Sequence, residues 1–204
     1  MAFLAEISRA IIRAGSTSLP RYFNAEEVKS ILNAVKDDRS LHLLIHFLWK
    51  TGVRASEAVN VRFGDIDPYQ KTLRVVTLKK DRRKRPGRKR IRRHERIIPL
   101  PDDLVAELVV YANERGLKYE DLIFPFRRST LFRKVRKACI KANIFDERAH
   151  PHTFRHSFAI HLIKNRVPIT VVQKLLGHSS IENTAIYLAV IQQEAEMFVR
   201  EVEW

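Results

Sequence analysis

Apolar residues recur along the chain at two periods, and the change from one to the other outlines a mainly helical protein. Val28, Ile31, Leu32 and Val35 share one face of a predicted helix over residues 24–36. Asn24 followed by Glu27 supplies a capping-box signal at its start. The apolar run Leu41 to Trp49 predicts a second helix, which Thr51-Gly52 ends because glycine accepts the left-handed backbone of a helix stop. Arg54-Ala-Ser-Glu57 opens a new short helix, so Arg54 stands at a helix junction. Beyond the turn at Asp67-Pro68 the pattern shortens, and Thr72 to Leu78 and Arg96 to Leu100 read as two strands rich in β-branched residues. A helix from Asp102 to Arg115, stopped by Gly116, and another capped by Ser129 follow.

Pro151 suits the first turn of the next helix and places His152 and Arg155 one turn apart, on one side and near its N-terminus, where phosphate is attracted. Phe154, Phe158 and Leu162 recur every four residues and turn the opposite side to the core. Pro168 opens the following helix, and Gly177 closes it just before His178. Ser179 with Glu182 gives a second capping-box signal, for a helix whose buried stripe is Ile181, Ala185 and Leu188. Tyr187 falls off that stripe, which predicts that it faces a pocket. The fold class expected is mainly α with a small antiparallel β-sheet, α+β. Residues 1–20 form an N-terminal extension, 21–190 one domain, and 191–204 a tail.

Charge then changes the picture. The 204 residues carry 38 Lys and Arg against 23 Asp and Glu, a net +15, and a pI near 10.3, which favours a polyanionic partner such as nucleic acid. An ordinary basic protein spreads its charge, whereas Lys79 to Arg96 concentrates twelve Lys and Arg in the stretch that joins the two predicted strands. Loops beyond about 12–15 residues are usually functional or disordered, so Lys80, Arg82, Arg83, Lys84, Arg85, Arg88, Lys89 and Arg90 are expected to touch DNA. With Pro86 and Gly87 and few apolar residues, the run does not make a membrane-binding amphipathic face. Arg133, Lys137 and Lys141 share one helix face that either tracks phosphates or is simply solvated.

A single cysteine, Cys139, excludes an internal disulfide framework and suits a reducing compartment. With no apolar run of signal or membrane-spanning character, a soluble, cytoplasmic, DNA-associated protein is expected. His152 and His156 are spaced i, i+4, but Thr153 stands where a helical zinc protease needs Glu, so no metal is expected. No Gly-rich loop ending in Lys-Ser/Thr implies ATP, and no cofactor is expected.

Attack of an oxygen nucleophile on a phosphodiester needs cationic donors on the non-bridging oxygens, a base for the nucleophile and an acid for the leaving oxygen. Arg54 and Arg155 suit the first task, since guanidinium binds phosphate bidentately and stays charged. His152 could take a proton from Tyr187 and His178 donate to a phosphoryl oxygen, because imidazole titrates near neutrality and a phenol, with a pKa of about 10, needs help. Each residue alone is weak. The ordered string Arg54-Ala-Ser-Glu57, His152-Thr-Phe-Arg155, Leu175-Leu-Gly-His178, then Tyr187 nine positions later is specific.

That string resembles the tyrosine recombinase and integrase family, which includes Xer and phage integrases, and the likeness runs from about Leu19 to Leu188. It implies the tyrosine recombinase catalytic-domain fold and a site-specific recombinase that cleaves and rejoins DNA strands. By that likeness Arg54 and Arg155 clamp the scissile phosphate, His152 is the acid/base, His178 completes the pocket, and Tyr187 forms a 3′-phosphotyrosyl link with a 5′-hydroxyl leaving. Glu57 is similar to the family's acidic buttress. The family's lysine acid maps to Lys79, with Lys80 as the alternative, although a long basic loop replaces the usual short Gly-Lys-Gly turn.

The likeness also implies double-stranded DNA as partner and self-association on it in a tetrameric synapse. The tail, with Met197, Phe198, Val202 and Trp204, either docks into a neighbouring subunit or packs on its own domain. Twenty residues before the likeness are too few for the family's N-terminal clamp, so the expectation is a catalytic domain alone, either part of a longer protein or similar to short fimbrial phase-switching recombinases. The opening Met1 favours the second. Two rivals stand beside this reading: a non-catalytic DNA-binding regulator using Val171 to Leu188 as a helix-turn-helix, and a type IB topoisomerase-like strand transferase. A binding module has no need of both arginines, both histidines and the tyrosine in that order.

Overall fold

The computed structural model describes residues 20–80 and 91–200, with backbone alone for 78–80, 91–93 and 193–200. The N-terminal extension before Pro20, the loop cations Arg82 to Arg90, and the side chains of Lys79, Lys80, Met197 and Phe198 lie outside the described part, as do Val202 and Trp204.

Helix α1, Ala25–Ala34, starts at the predicted capping box: Asn24 Oδ1 accepts from the Glu27 amide at 2.8 Å, and Glu27 Oε2 accepts from the Asn24 amide at 2.9 Å. Helix α2, Arg39–Thr51, ends at Gly52, which is left-handed with φ 58°. Its buried residues Leu41, Leu43, Leu44, Ile45, Phe47 and Leu48 make it the spine of the larger core. Helix α3, Ala55–Ala58, follows directly. A Cβ on Gly52 would sit 2.3 Å from Phe158 Cδ1. Gly52→Ala should therefore lower unfolding free energy by about 2–4 kcal/mol, measured by urea denaturation, since it combines a clash with a strained φ.

Three antiparallel strands follow in the order β1 (Ile66–Asp67), β2 (Thr72–Lys80) and β3 (Ile91–Pro99). The predicted strands are too short. Pairing runs from Thr72 opposite Pro99 to Lys80 opposite Ile91, so the strands extend into the basic stretch as far as Lys80 on one side and Ile91 on the other. Lysine and arginine carry little strand preference of their own, and the hydrogen-bonded ladder overrides it.

Helices α4 (Asp102–Glu114), α5 (Arg128–Lys141), α6 (Pro151–Lys164), α7 (Ile169–Leu176) and α8 (Glu182–Arg200) complete the described fold. Helix α5 does not begin as expected. Its N-cap is Arg127, with extended backbone and no side-chain cap, and Ser129 lies inside the first turn. At α8 the amide of Glu182 donates to Ser180 Oγ at 3.2 Å rather than to Ser179.

Helix α6 packs against both α2 and α8, and α7 packs against α6, α8 and β3. Phe158, Ala159, Ile160, Val172, Leu176, Tyr187 and Val190 form a second apolar cluster there. Ile181 and Ala185 are buried as predicted, but so are Thr184, Tyr187, Ala189 and Val190. Because α8 meets two helices, its buried arc is wider than a one-sided amphipathic pattern allows. Tyr187 is thus in the core, 2% exposed, and not facing an open pocket.

Candidate active site

Two helix ends aim backbone carbonyls at one guanidinium. Arg155, in the first turns of α6 and 4% exposed, donates through Nη1 to Gly52 O at 2.8 Å and through Nη2 to Leu176 O at 2.7 Å. Gly52 closes α2, and Leu176 precedes Gly177, the left-handed stop of α7 with φ 65°. Carbonyl ends of helices carry partial negative charge, so both stops favour a cation between them. Among the described residues no carboxylate bonds Arg155 directly. Burial, then the neighbouring Arg54 charge, lowers its pKa to about 10, only partly offset by Glu57.

Arg54 is held from the other side. Its amide donates to Glu57 Oε2 at 2.8 Å and its Nη1 to Glu57 Oε1 at 3.0 Å, with about a third of the side chain open to solvent. Glu57 is 5% exposed. It also accepts from Thr77 Oγ1 at 2.6 Å and from Arg96 Nη1 and Nη2 at 3.0 and 2.8 Å. Burial alone would raise its pKa, but the bonds and charge of Arg96, then Thr77 and the Arg54 amide, hold it at about 2.

The tyrosine hydroxyl bonds a histidine, but not the one expected. Tyr187 Oη lies 3.1 Å from His156 Nδ1, with ring centroids 5.7 Å apart. His152 stacks on His150 at 5.3 Å and makes no side-chain hydrogen bond among the described residues. His178 Nδ1 lies 2.9 Å from Thr184 Oγ1. With Thr184 donating, neutral His178 carries its proton on Nε2 and keeps a donor for a ligand. Burial raises the pKa of Tyr187, against the pull of Arg155 and Arg54.

All three histidines are held neutral. Burial first, then Arg155, Arg54 and other cations, pushes His178 down to about 3. Burial and neighbouring His152 and Arg155 push His156 to about 4, and His152 is lowered by burial, His150 and Arg155. A histidine with a lowered folded pKa binds fewer protons than its unfolded form below pH ~6.5, so stability rises with pH across that window. The melting temperature should fall as pH drops from about 6.5 towards 4, followed by calorimetry, and His156→Asn should flatten that slope.

A model of the phage integrase family matches residues 21–194. The chain belongs to the phage integrase family. It is 37% identical over 185 residues to a tyrosine recombinase of Thermosipho africanus, covering 86% of this chain and 59% of that protein. The crystal structure of XerA recombinase superposes with a TM-score of 0.70 at 25% identity, over 91% of this chain and 67% of the other. A structure of XerH site-specific recombinase bound to palindromic difH substrate, a post-cleavage complex, gives 0.68 at 23% identity, over 90% and 54%. The chain therefore spans less than two thirds of the length of that curated relative.

Within this integrase-family fold, Arg54, Glu57, His152, Arg155, His178 and Tyr187 gather at one place, where α2, α3, α6, α7 and α8 meet. Arg133, Lys137 and Lys141 are exposed on α5 and bond none of them. The sequence reading missed Arg96, Thr77, His156 and Thr184. Arg96 had a signal: two residues before buried Ile98 on β3, it must point inward, and a buried arginine needs an acid. His156 had a misleading one, its i, i+4 spacing from His152. Among the described residues no group of three or more His, Cys, Asp or Glu is placed to hold a metal ion.

Proposed function

We propose that the chain is the strand-exchanging catalytic part of a site-specific DNA recombinase. The observation that carries this reading is Arg155, buried with two backbone carbonyls as its acceptors and its charge only partly offset by Glu57, beside a second guanidinium and a tyrosine hydroxyl. A phosphodiester supplies the missing negative charge, and its oxygens suit two planar donor forks. The difH substrate named in the XerH structure supports DNA as the substrate class.

In the reaction, Tyr187 Oη attacks phosphorus, the Oη–P bond forms and the bond to the 5′ oxygen breaks. Arg54 and Arg155 take the charge on the non-bridging oxygens, with His178 as a third donor. The tyrosine proton passes to an imidazole, His152 or the bonded His156. Lys79 or Lys80 protonates the leaving 5′ oxygen. One phosphoester replaces another, so rejoining needs no ATP and no metal.

Double-stranded DNA enters across the open side of Arg54 and a groove lined by His94, Lys174, His178 and Ser179. Four copies assemble on paired sites, with the 191–204 tail in a neighbouring subunit. Among the described residues no helix is long and apolar enough to cross a membrane.

The test is a nicked duplex that traps the cleaved strand. The expected product is a covalent protein–DNA adduct whose linkage peptide mapping places on Tyr187. No adduct on any cognate site would leave the DNA-binding regulator ahead. Neutralising the seven Lys and Arg between Arg82 and Arg90 should weaken non-specific binding and flatten its salt dependence by several units of slope, read by fluorescence titration. Arg92 and Arg93 stay unchanged in that variant because they belong to β3.

A further inference from the structure

We infer that Arg96 is a positioning residue for strand cleavage, a clamp that locks the β2–β3 hairpin to both halves of the phosphate pocket. The inference rests on the recombinase reading for its catalytic consequence and on geometry for the clamp. Four hydrogen bonds leave one side chain that is about nine-tenths buried. Nη1 and Nη2 meet the two oxygens of Glu57 at 3.0 and 2.8 Å, the fork-on-carboxylate arrangement that arginine alone provides. Nη1 also reaches Thr77 Oγ1 at 3.1 Å, on the paired strand. Nε donates to Leu175 O at 2.7 Å, on the last turn of α7.

The two ends of this clamp matter for different reasons. Glu57 is the carboxylate that fixes Arg54 by amide and guanidinium together. Leu175 immediately precedes Leu176, whose carbonyl holds Arg155, and Gly177, which turns the chain into His178. The contact with Gly177 is close: a Cβ there would lie 3.2 Å from Arg96 Cδ. Arg96 therefore touches the supports of Arg54, Arg155 and His178 without facing the substrate phosphate through any of its four bonds. It is also the link by which β3, and with it the strand opposite that carries Lys79, is registered against the pocket.

Removing the clamp has a chemical signature beyond loosened packing. Burial pushes the Glu57 carboxyl towards its neutral form, and Arg96 is the largest influence opposing that. With Arg96 charged and bonded, Glu57 is ionised well below neutral pH. Without it, Glu57 takes up a proton as pH falls through the ordinary carboxylate range or above, and a protonated Glu57 no longer holds Arg54 as an ion pair. The direction follows from linkage: the pKa of Glu57 is lowered in the folded protein, so its ionised form is stable above about pH 2, and the variant moves that limit upward.

The experiment uses the full chain, its Arg96→Gln and Arg96→Lys variants, and the nicked duplex. Circular dichroism and melting establish that each variant is folded, and Arg96→Lys carries the test if Arg96→Gln does not fold. Carbon NMR of glutamate-labelled protein follows the Glu57 carboxyl. The parent should stay ionised at every pH at which it is folded, whereas Arg96→Gln should titrate at or above the ordinary glutamate value of 4.5, with Arg96→Lys between them. Single-turnover cleavage at saturating DNA should fall roughly a hundredfold in Arg96→Gln with DNA affinity within a few-fold, a loss typical of removing a group that orients a reacting one. A new acidic limb should appear in its pH–rate profile. Adding Glu57→Gln should remove that limb.

A variant in which Glu57 stays ionised as in the parent, or in which cleavage drops equally at every pH, would overturn the inference and leave Arg96 a brace of the fold. If the parent itself forms no Tyr187 adduct, the recombinase reading fails, and the Glu57 titration still decides whether Arg96 sets that carboxylate.

Discussion

Tyr187→Phe should abolish the covalent protein–DNA adduct while leaving DNA affinity within a few-fold of the parent. The change removes one oxygen and keeps a ring among Phe158, Ala159, Ile160, Val172, Leu176 and Val190, so the second core cluster stays packed. What the fold loses is the hydrogen bond to His156 at 3.1 Å, worth about 1 kcal/mol. The proposed reaction loses its nucleophile, and the Thr184 hydroxyl on the same helix is engaged with His178. An adduct that persists in the phenylalanine variant, seen as a slow-migrating band after denaturation, would remove Tyr187 from the reaction.

The burial of Tyr187 adds a kinetic expectation to the same experiment. Attack requires the hydroxyl to come within about 3–3.5 Å of phosphorus, and a residue 2% exposed presents little of itself to a duplex. Productive binding therefore has to exchange the His156 bond for a contact with phosphate. In the parent this appears as a step between DNA binding and adduct formation that does not speed up with DNA concentration. In Tyr187→Phe the binding phase should remain and the slower phase should vanish.

What was legible in the sequence follows the range of the physics involved. Asn24 and Glu27, Gly52, Gly177 and the start of α6 at Pro151 are set by neighbours within a turn, and each lies where the local rule places it. The orientation of Tyr187 is not local. It depends on α8 having two helical neighbours, and a period read along one strip of a helix does not reveal how many partners surround it. The β2–β3 ladder outran the predicted strands because Lys79, Lys80, Arg92 and Arg93 are recruited by pairing rather than by preference. Arg96 was hidden by company: it was read only as the first residue of the second strand at the end of a basic run, and only the strand period relative to Ile98 separates it from the other cations. His156 and His152 could not be told apart by spacing alone, because both sit near the start of α6 and only packing decides which ring meets the phenol.

Arg155→Lys should cost about three orders of magnitude in single-turnover cleavage at saturating DNA, the scale seen when a fixed donor to a developing oxyanion is lost. A lysine keeps the charge and so keeps most of the attraction for the duplex, but its compact ammonium cannot span Gly52 O and Leu176 O and also present a flat fork to phosphate. The loss should fall on the cleavage rate and not on affinity, with the salt dependence of binding unchanged. Arg54→Lys should cost less, because Arg54 is more exposed and its anchor Glu57 is shared with Arg96 and Thr77, so the carboxylate stays in place when the guanidinium goes. The ordering is the informative part. Arg155 is the cation whose hydrogen bonds go to carbonyls and whose charge Glu57 only partly offsets, so a phosphate gains most from meeting it, and its geometry is fixed by two helix ends that a substitution cannot move. Equal losses at the two positions, or a larger one at Arg54, would mean that the buried charge is not where the transition state is held.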